Sequence, residues 1–228
     1  KTLLTKASQL RRTPARADGD GAEAAAKPDF AGAKRHALER LERELAPEYH
    51  YHSVKHTRDE VLPAVERIAE QEGVSGDDLL LLRTAALYHD IGFIEQASDN
   101  EAIGVRIAAE ALPRFGYSRD QIDTISGIIM ATKLPQTPHN RLEEIMADAD
   151  LDIFGSDDFV TRNEQLRAEL AGLGSPSSDD EWYRNQLAFM RSHEYFTASA
   201  RALLGSKKQA NIRMMEERLQ QIGTHSSG

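Results

Sequence analysis

The stretch "AALYHDIGF", residues 85–93, sets His89 and Asp90 side by side at the end of an apolar run that starts at Leu79. An imidazole and a carboxylate are costly to bury unless something compensates them. Upstream, "YHYHSVKHT" holds His50, His52 and His56, and the last two are four residues apart, so they share one helix face. Downstream, "DADLD" supplies Asp148, Asp150 and Asp152 at the end of another apolar segment. Three segments thus offer His and Asp groups beside apolar runs. One divalent cation would compensate the carboxylates and take neutral imidazole nitrogen from His56 and His89. His-plus-carboxylate sets suit several ions, and ligand type alone does not choose among Mn, Zn, Fe, Mg and Co.

The elements that must position these groups are helical. "AKRHALERLERELA" repeats Leu38, Leu41 and Leu45 at helical spacing and stops at Pro47. "HSVKHTRDEVLPAVERIAEQEG" gives a second helix with Val54, Val61, Leu62, Val65 and Ile68 on its apolar face, and Pro63 is expected to bend it. A third runs from about Asp77 to Asp90, with Gly92 placed to cap it. "NEAIGVRIAAEALPRFG" is a fourth, and "SRDQIDTISGIIMATK" a fifth with Ser118 at its N-cap. "LPQTPHN", with two prolines, is a loop. A sixth helix starts near Arg141 and runs into "MADADLDIFG"; three more are expected at 158–171, 179–203 and 206–222. No alternating β pattern of useful length appears. The fold class is all-α, a bundle of eight or nine helices.

Residues 1–30 are rich in Ala, Gly, Asp and basic residues and read as a linker or N-terminal extension, of a kind that tethers a domain to something upstream. Residues 31–222 form the domain, and 223–228 are expected as a disordered tail. The formal charge of −9, without a basic stripe, argues against nonspecific duplex DNA binding. The absence of cysteine excludes disulfides and thiolate metal sites. No apolar stretch approaches the length of a membrane span, and a cytoplasmic location is the default expectation.

From Tyr49 to Phe159 the order His56, His89–Asp90, then an Asp of "DAD" resembles the HD-domain superfamily of metal-dependent phosphohydrolases. "YHSVKHT" is similar to the "YHN…HA" stretch of cyclic-nucleotide phosphodiesterases, where the second His is a ligand and the first a proton donor. "ADLD" resembles the "AD-L" signature and selects Asp150 over Asp148. The resemblance implies a metal set of His56, His89, Asp90 and Asp150, and His52 as the acid. Two-metal members add histidines where this chain has Asn100 and Thr132, so one tightly held ion is expected. Phe93 and Ile94 stand where ppGpp hydrolases carry an acidic pair. The implied activity is hydrolysis of a small phosphate ester or anhydride, with a nucleotide or cyclic nucleotide as the expected substrate. Asp90 would hold the attacking water, with Glu101 close by. Lys55, Arg58, Lys133, Arg141 and Arg162 are the expected phosphate partners, and His193 on a late helix is expected to reach the pocket. Two competing readings are a non-catalytic metal- or nucleotide-binding signalling module and a di-iron HD oxygenase, the latter disfavoured by Asn100 and Thr132.

Overall fold

The structure, a computed structural model, describes residues 27–225, so most of the expected linker, and the last three residues of the expected tail, lie outside the described residues. The described residues form nine α-helices joined by shorter helical turns, and no strand occurs among them. The all-α expectation holds.

Helix α1 (Phe30–Glu44) starts where Asp29 accepts a hydrogen bond from the Gly32 amide, and it buries Ala33, Ala37 and Leu41. A π-helical turn, His56–Val61, then runs directly into α2 (Leu62–Gln71). Pro63 lies in the first turn of α2, directly after the π turn. Such turns widen a helix locally and are frequent at functional sites. Helix α3 (Gly76–Tyr88) ends at His89, and Asp90 opens a 3₁₀ turn, Ile91–Ile94. Gly92 lies inside that turn rather than at the end of α3. Its role is close approach: a Cβ there would stand 1.9 Å from the Asn100 carbonyl oxygen, at the start of α4 (Asn100–Ala111).

Ser118 begins α5 (Arg119–Met130) with a reciprocal capping box to Gln121. Asn140 caps α6 (Arg141–Asp150), which is followed by a 3₁₀ turn, Asp152–Gly155. Helices α7 (Phe159–Gly172), α8 (Asp179–Ser192) and α9 (Ala198–His225) complete the chain. The expected helices at 179–203 and 206–222 are divided differently: the break falls at residues 193–197, and Gly205 sits inside α9. The cause is the buried Asp148 carboxylate. It accepts hydrogen bonds from the Phe196 and Thr197 amides, each at 2.8 Å, and from the Thr197 hydroxyl at 2.7 Å, which draws that backbone out of helical pairing. Helix α9 extends to His225, into the stretch expected as a tail.

Two apolar clusters result. The larger joins α1 to α6 around Ile68, Leu82, Leu87, Ile125 and Ile129. The smaller gathers Phe154, Phe159, Trp182, Leu187, Met190 and Met215 from the C-terminal helices. His56 packs on Tyr51 of the smaller cluster at 4.9 Å, and His89 and Asp150 directly follow Tyr88 and Ala149 of the larger, so the His and Asp groups lie where the two clusters meet.

Candidate metal centre

Four of the sequence-selected side chains converge. The π turn brings His56 inward, the end of α3 delivers His89 and Asp90, and the end of α6 delivers Asp150. His56 Nε2 lies 3.5 Å from Asp90 Oδ2 and 3.7 Å from Asp150 Oδ1. His89 Nε2 lies 3.1 Å and 3.4 Å from the same two oxygens. Ligand atoms of His56, His89 and Asp150 all fall within 4.8 Å of one another.

Each histidine is aimed from behind. His89 donates from Nδ1 to the Ala86 carbonyl at 2.8 Å, and His56 Nδ1 bonds the Glu60 carboxylate at 3.1 Å. Both Nε2 atoms are thereby turned to the carboxylates, the arrangement that fixes a metal-binding imidazole. Behind Glu60 lies Arg162, 3.0 Å from it and 3.1 Å from Asp152, which Arg67 approaches at 3.3 Å.

The donor set fits a divalent cation. His89 Nε2 and Asp90 Oδ2 are buried without a hydrogen-bond partner, although they face each other. Burial works against a charged His89, but the carboxylates of Asp90 and Asp150 outweigh it and hold its pKa well above the usual imidazole range. Burial likewise works against an ionised Asp90 and Asp150, and the two imidazoles outweigh it, holding both carboxyls low. The cluster therefore demands positive charge at its centre, which a metal ion supplies in place of imidazole protons.

A cavity of about 280 Å³ opens beside Asp90 and Asp150. His52, Asn100, Glu101 and Thr132 line it, with Tyr51, Phe93, Phe154 and Phe189 among its walls. His52 stacks on Phe93 at 4.1 Å between ring centroids. Its Nδ1 is bonded to the buried Glu169 of α7, which also accepts the Tyr51 and His52 amides at 2.8 and 3.0 Å. The sequence reading missed Glu169, which stands in an unremarkable helical pattern; only the fold shows that it is buried.

Asp148 is tied to the α9 start and does not join the cluster, so the geometry favours Asp150. The cationic side chains expected at phosphate lie elsewhere. Lys133 pairs with Asp99 at 2.8 Å, and Arg141 with Glu72 at 2.9 Å. Arg58 pairs with Asp59 at 2.7 Å, and Lys55 is 3.4 Å from Glu60 at the exposed end of the π turn. Arg162 is buried in the support of His56. His193 meets Lys208 Nζ at 2.9 Å and packs on Phe154 and Tyr195, in a separate cavity between α8 and α9. Their salt-bridge partners and burial, invisible in sequence, keep them out of the pocket.

Residues 54–151 match the HD domain family. The fold is similar to a crystal structure described as a predicted HD superfamily hydrolase from an uncultured Thermotogales bacterium. The two share 19% identity over 85% of this chain and 93% of that one, with a TM-score of 0.58. No curated protein sequence matches the chain.

Proposed function

Starting from a chain that belongs to the HD-domain superfamily, we propose that it is a metal-dependent hydrolase of a phosphate ester or anhydride. One observation carries this reading: His56, His89, Asp90 and Asp150 converge beside a cavity edged by the Glu169-held His52.

His56, His89, Asp90 and Asp150 would hold one divalent ion. Such an ion lowers the pKa of a water and polarises a phosphoryl oxygen. Within the chain, Asp90 and Asp150 orient the polar atoms at the cavity floor, and the two imidazoles are locked by Ala86 and Glu60. His52, pinned between Glu169 and Phe93, is placed to give a proton from its free ring nitrogen to the leaving oxygen. Glu169 plays the part of the orienting carboxylate that fixes the tautomer. Glu101 lines the same cavity and is the candidate for contact with the attacking water. With Asn100 and Thr132 at the remaining wall positions, one tightly bound ion per chain is expected, and the Thr132 hydroxyl is already committed to the Ile129 carbonyl at 2.9 Å.

The test is metal analysis of the purified protein, followed by phosphate release from 4-nitrophenyl phosphate and a nucleotide panel with Mn²⁺, Zn²⁺, Fe²⁺, Mg²⁺ or Co²⁺ supplied. Metal-dependent release that His56→Ala abolishes supports the hydrolase. Tight metal without turnover on any substrate returns the signalling-module reading. Two tightly held irons with oxygen uptake return the oxygenase.

A further inference from the structure

The lining of the cavity beside the metal cluster carries information about what enters it. Its formally charged side chains are Asp90, Glu101 and Asp150, all carboxylates, and His52 is its one basic group; among the described residues, no lysine or arginine lines it. The remaining wall is largely apolar and aromatic, with Phe93, Leu134, Phe154, Leu166 and Phe189. Lys133, between the lining residues Thr132 and Leu134, is not itself in the lining and pairs with the exposed Asp99 at 2.8 Å, while Arg141 and Arg162 pair with carboxylates that do not line the cavity. A divalent ion offsets two of the three carboxylates and leaves nothing to offset a second or third phosphate. Sites that take di- and triphosphates supply arginine, lysine or further cations along the whole charged tail.

Two further observations bear on the rest of the bound molecule. The volume of about 280 Å³ is at the small end for a ligand site, room for one ring system and one phosphoryl group. Asn100 lines the cavity, and its buried Oδ1 has no hydrogen-bond partner, so it offers an acceptor to a hydroxyl or amino group.

Resting on the hydrolase reading, we propose that the substrate is a phosphomonoester of an alcohol with a ring-sized apolar body, and that the pocket rejects polyphosphates. In the reaction, water oxygen bonds to phosphorus as the ester P–O bond breaks. His52 gives its proton to the leaving oxygen and is reprotonated by the proton that the attacking water sheds to solvent. The products are the alcohol and inorganic phosphate.

The decisive measurement is binding, which needs no turnover. Calorimetry with Mn²⁺ in excess compares benzylphosphonate with methylphosphonate, and AMP with ATP. Burial of the phenyl ring against Phe154 and Phe189 is expected to make benzylphosphonate bind at least about tenfold tighter than methylphosphonate. AMP is expected to outbind ATP, and Phe189→Ala is expected to bring the benzyl-to-methyl ratio toward one. Gln186→Lys, which places an ammonium on the α8 wall, is expected to shift preference toward ATP. Benzyl phosphate hydrolysis is followed in parallel. Equal binding of the two phosphonates, or ATP binding as well as AMP, overturns the substrate assignment and leaves the hydrolase reading standing. The expected binding preferences without phosphate release from benzyl phosphate overturn the hydrolase reading and leave the pocket's selectivity in place.

Discussion

Asp90 faces both imidazoles of the cluster, with Oδ2 buried and without a hydrogen bond, so its substitution tests the site most directly. Asp90→Ala is expected to lower metal occupancy and phosphate release together. Because an ion bound to the folded state stabilises it by mass action, the melting temperature of the variant should also lose its dependence on added metal, which differential scanning calorimetry reads. Full occupancy and full rate in Asp90→Ala would return the doublet to a packing role. His52 and His56 stand one turn apart yet differ in partners: His56 is backed by Glu60, and His52 by Glu169. His52→Ala should therefore keep its metal and lose about 10²–10⁴-fold in kcat, with the loss shrinking for leaving groups that need no proton. Glu169→Gln should keep the backbone bonds to Tyr51 and His52 and lower kcat with KM little changed. A deficit equal for alkyl and nitrophenyl esters would make His52 a substrate-positioning group.

At the scale of elements, His89, Asp90 and Asp150 stood out because they end apolar runs, where a lone carboxylate is costly unless paired, and His56 and the choice of Asp150 followed from the resemblance in motif order. The helices carrying them were legible from period alone. What was not legible is long-range. The π turn at His56 leaves no sequence mark, since the same residues continue an α-helical pattern. The break at 193–197 depends on Asp148, about fifty residues away in sequence, accepting amides that would otherwise extend α8. Arg162 read as a phosphate partner because an arginine at the right place in sequence gives no sign of what faces it; in the fold it lies under the π turn against Glu60 and Asp152. That placement makes a different prediction. Arg162→Leu strands buried carboxylates without their cation, a loss of about 3–5 kcal/mol by analogy with broken buried ion pairs, measurable by urea unfolding. With Glu60 no longer held, metal affinity should also fall about tenfold or more. Unchanged stability together with a raised KM would restore Arg162 to substrate binding.

The whole molecule divides its labour along the seam between its two apolar clusters. The proposed metal ligands all lie within the HD-matching residues 54–151, whereas Asn163, Leu166, Gln186 and Phe189 of the cavity wall, and Glu169 behind His52, come from α7 and α8 beyond it. On the proposed reading the metal-holding groups lie in the matched portion, the acid His52 just ahead of it, and much of the cavity wall in the C-terminal helices, so the seating of α8 on α9 is expected to matter to function. His193 and Lys208 join those two helices. Burial and the neighbouring ammonium of Lys208 hold the His193 pKa down to about 4, against 6.5 for a free histidine. The unfolded chain therefore takes up this proton first as pH falls. Stability from this group is complete above about pH 6.5, declines as pH drops, and levels off near the folded value of about 4. Allowing for solvent screening of a partly exposed side chain, the decline should be about 1–2 kcal/mol. His193→Gln keeps an acceptor for Lys208 and removes the titration. Urea unfolding of both proteins at several pH values from 7 to 4 should show the wild type losing that much more stability than the variant. Parallel pH profiles would mean that His193 takes up its proton as readily in the folded protein as in the unfolded chain, and that the α8–α9 junction opens to solvent far more than its packing against Phe154 and Tyr195 implies.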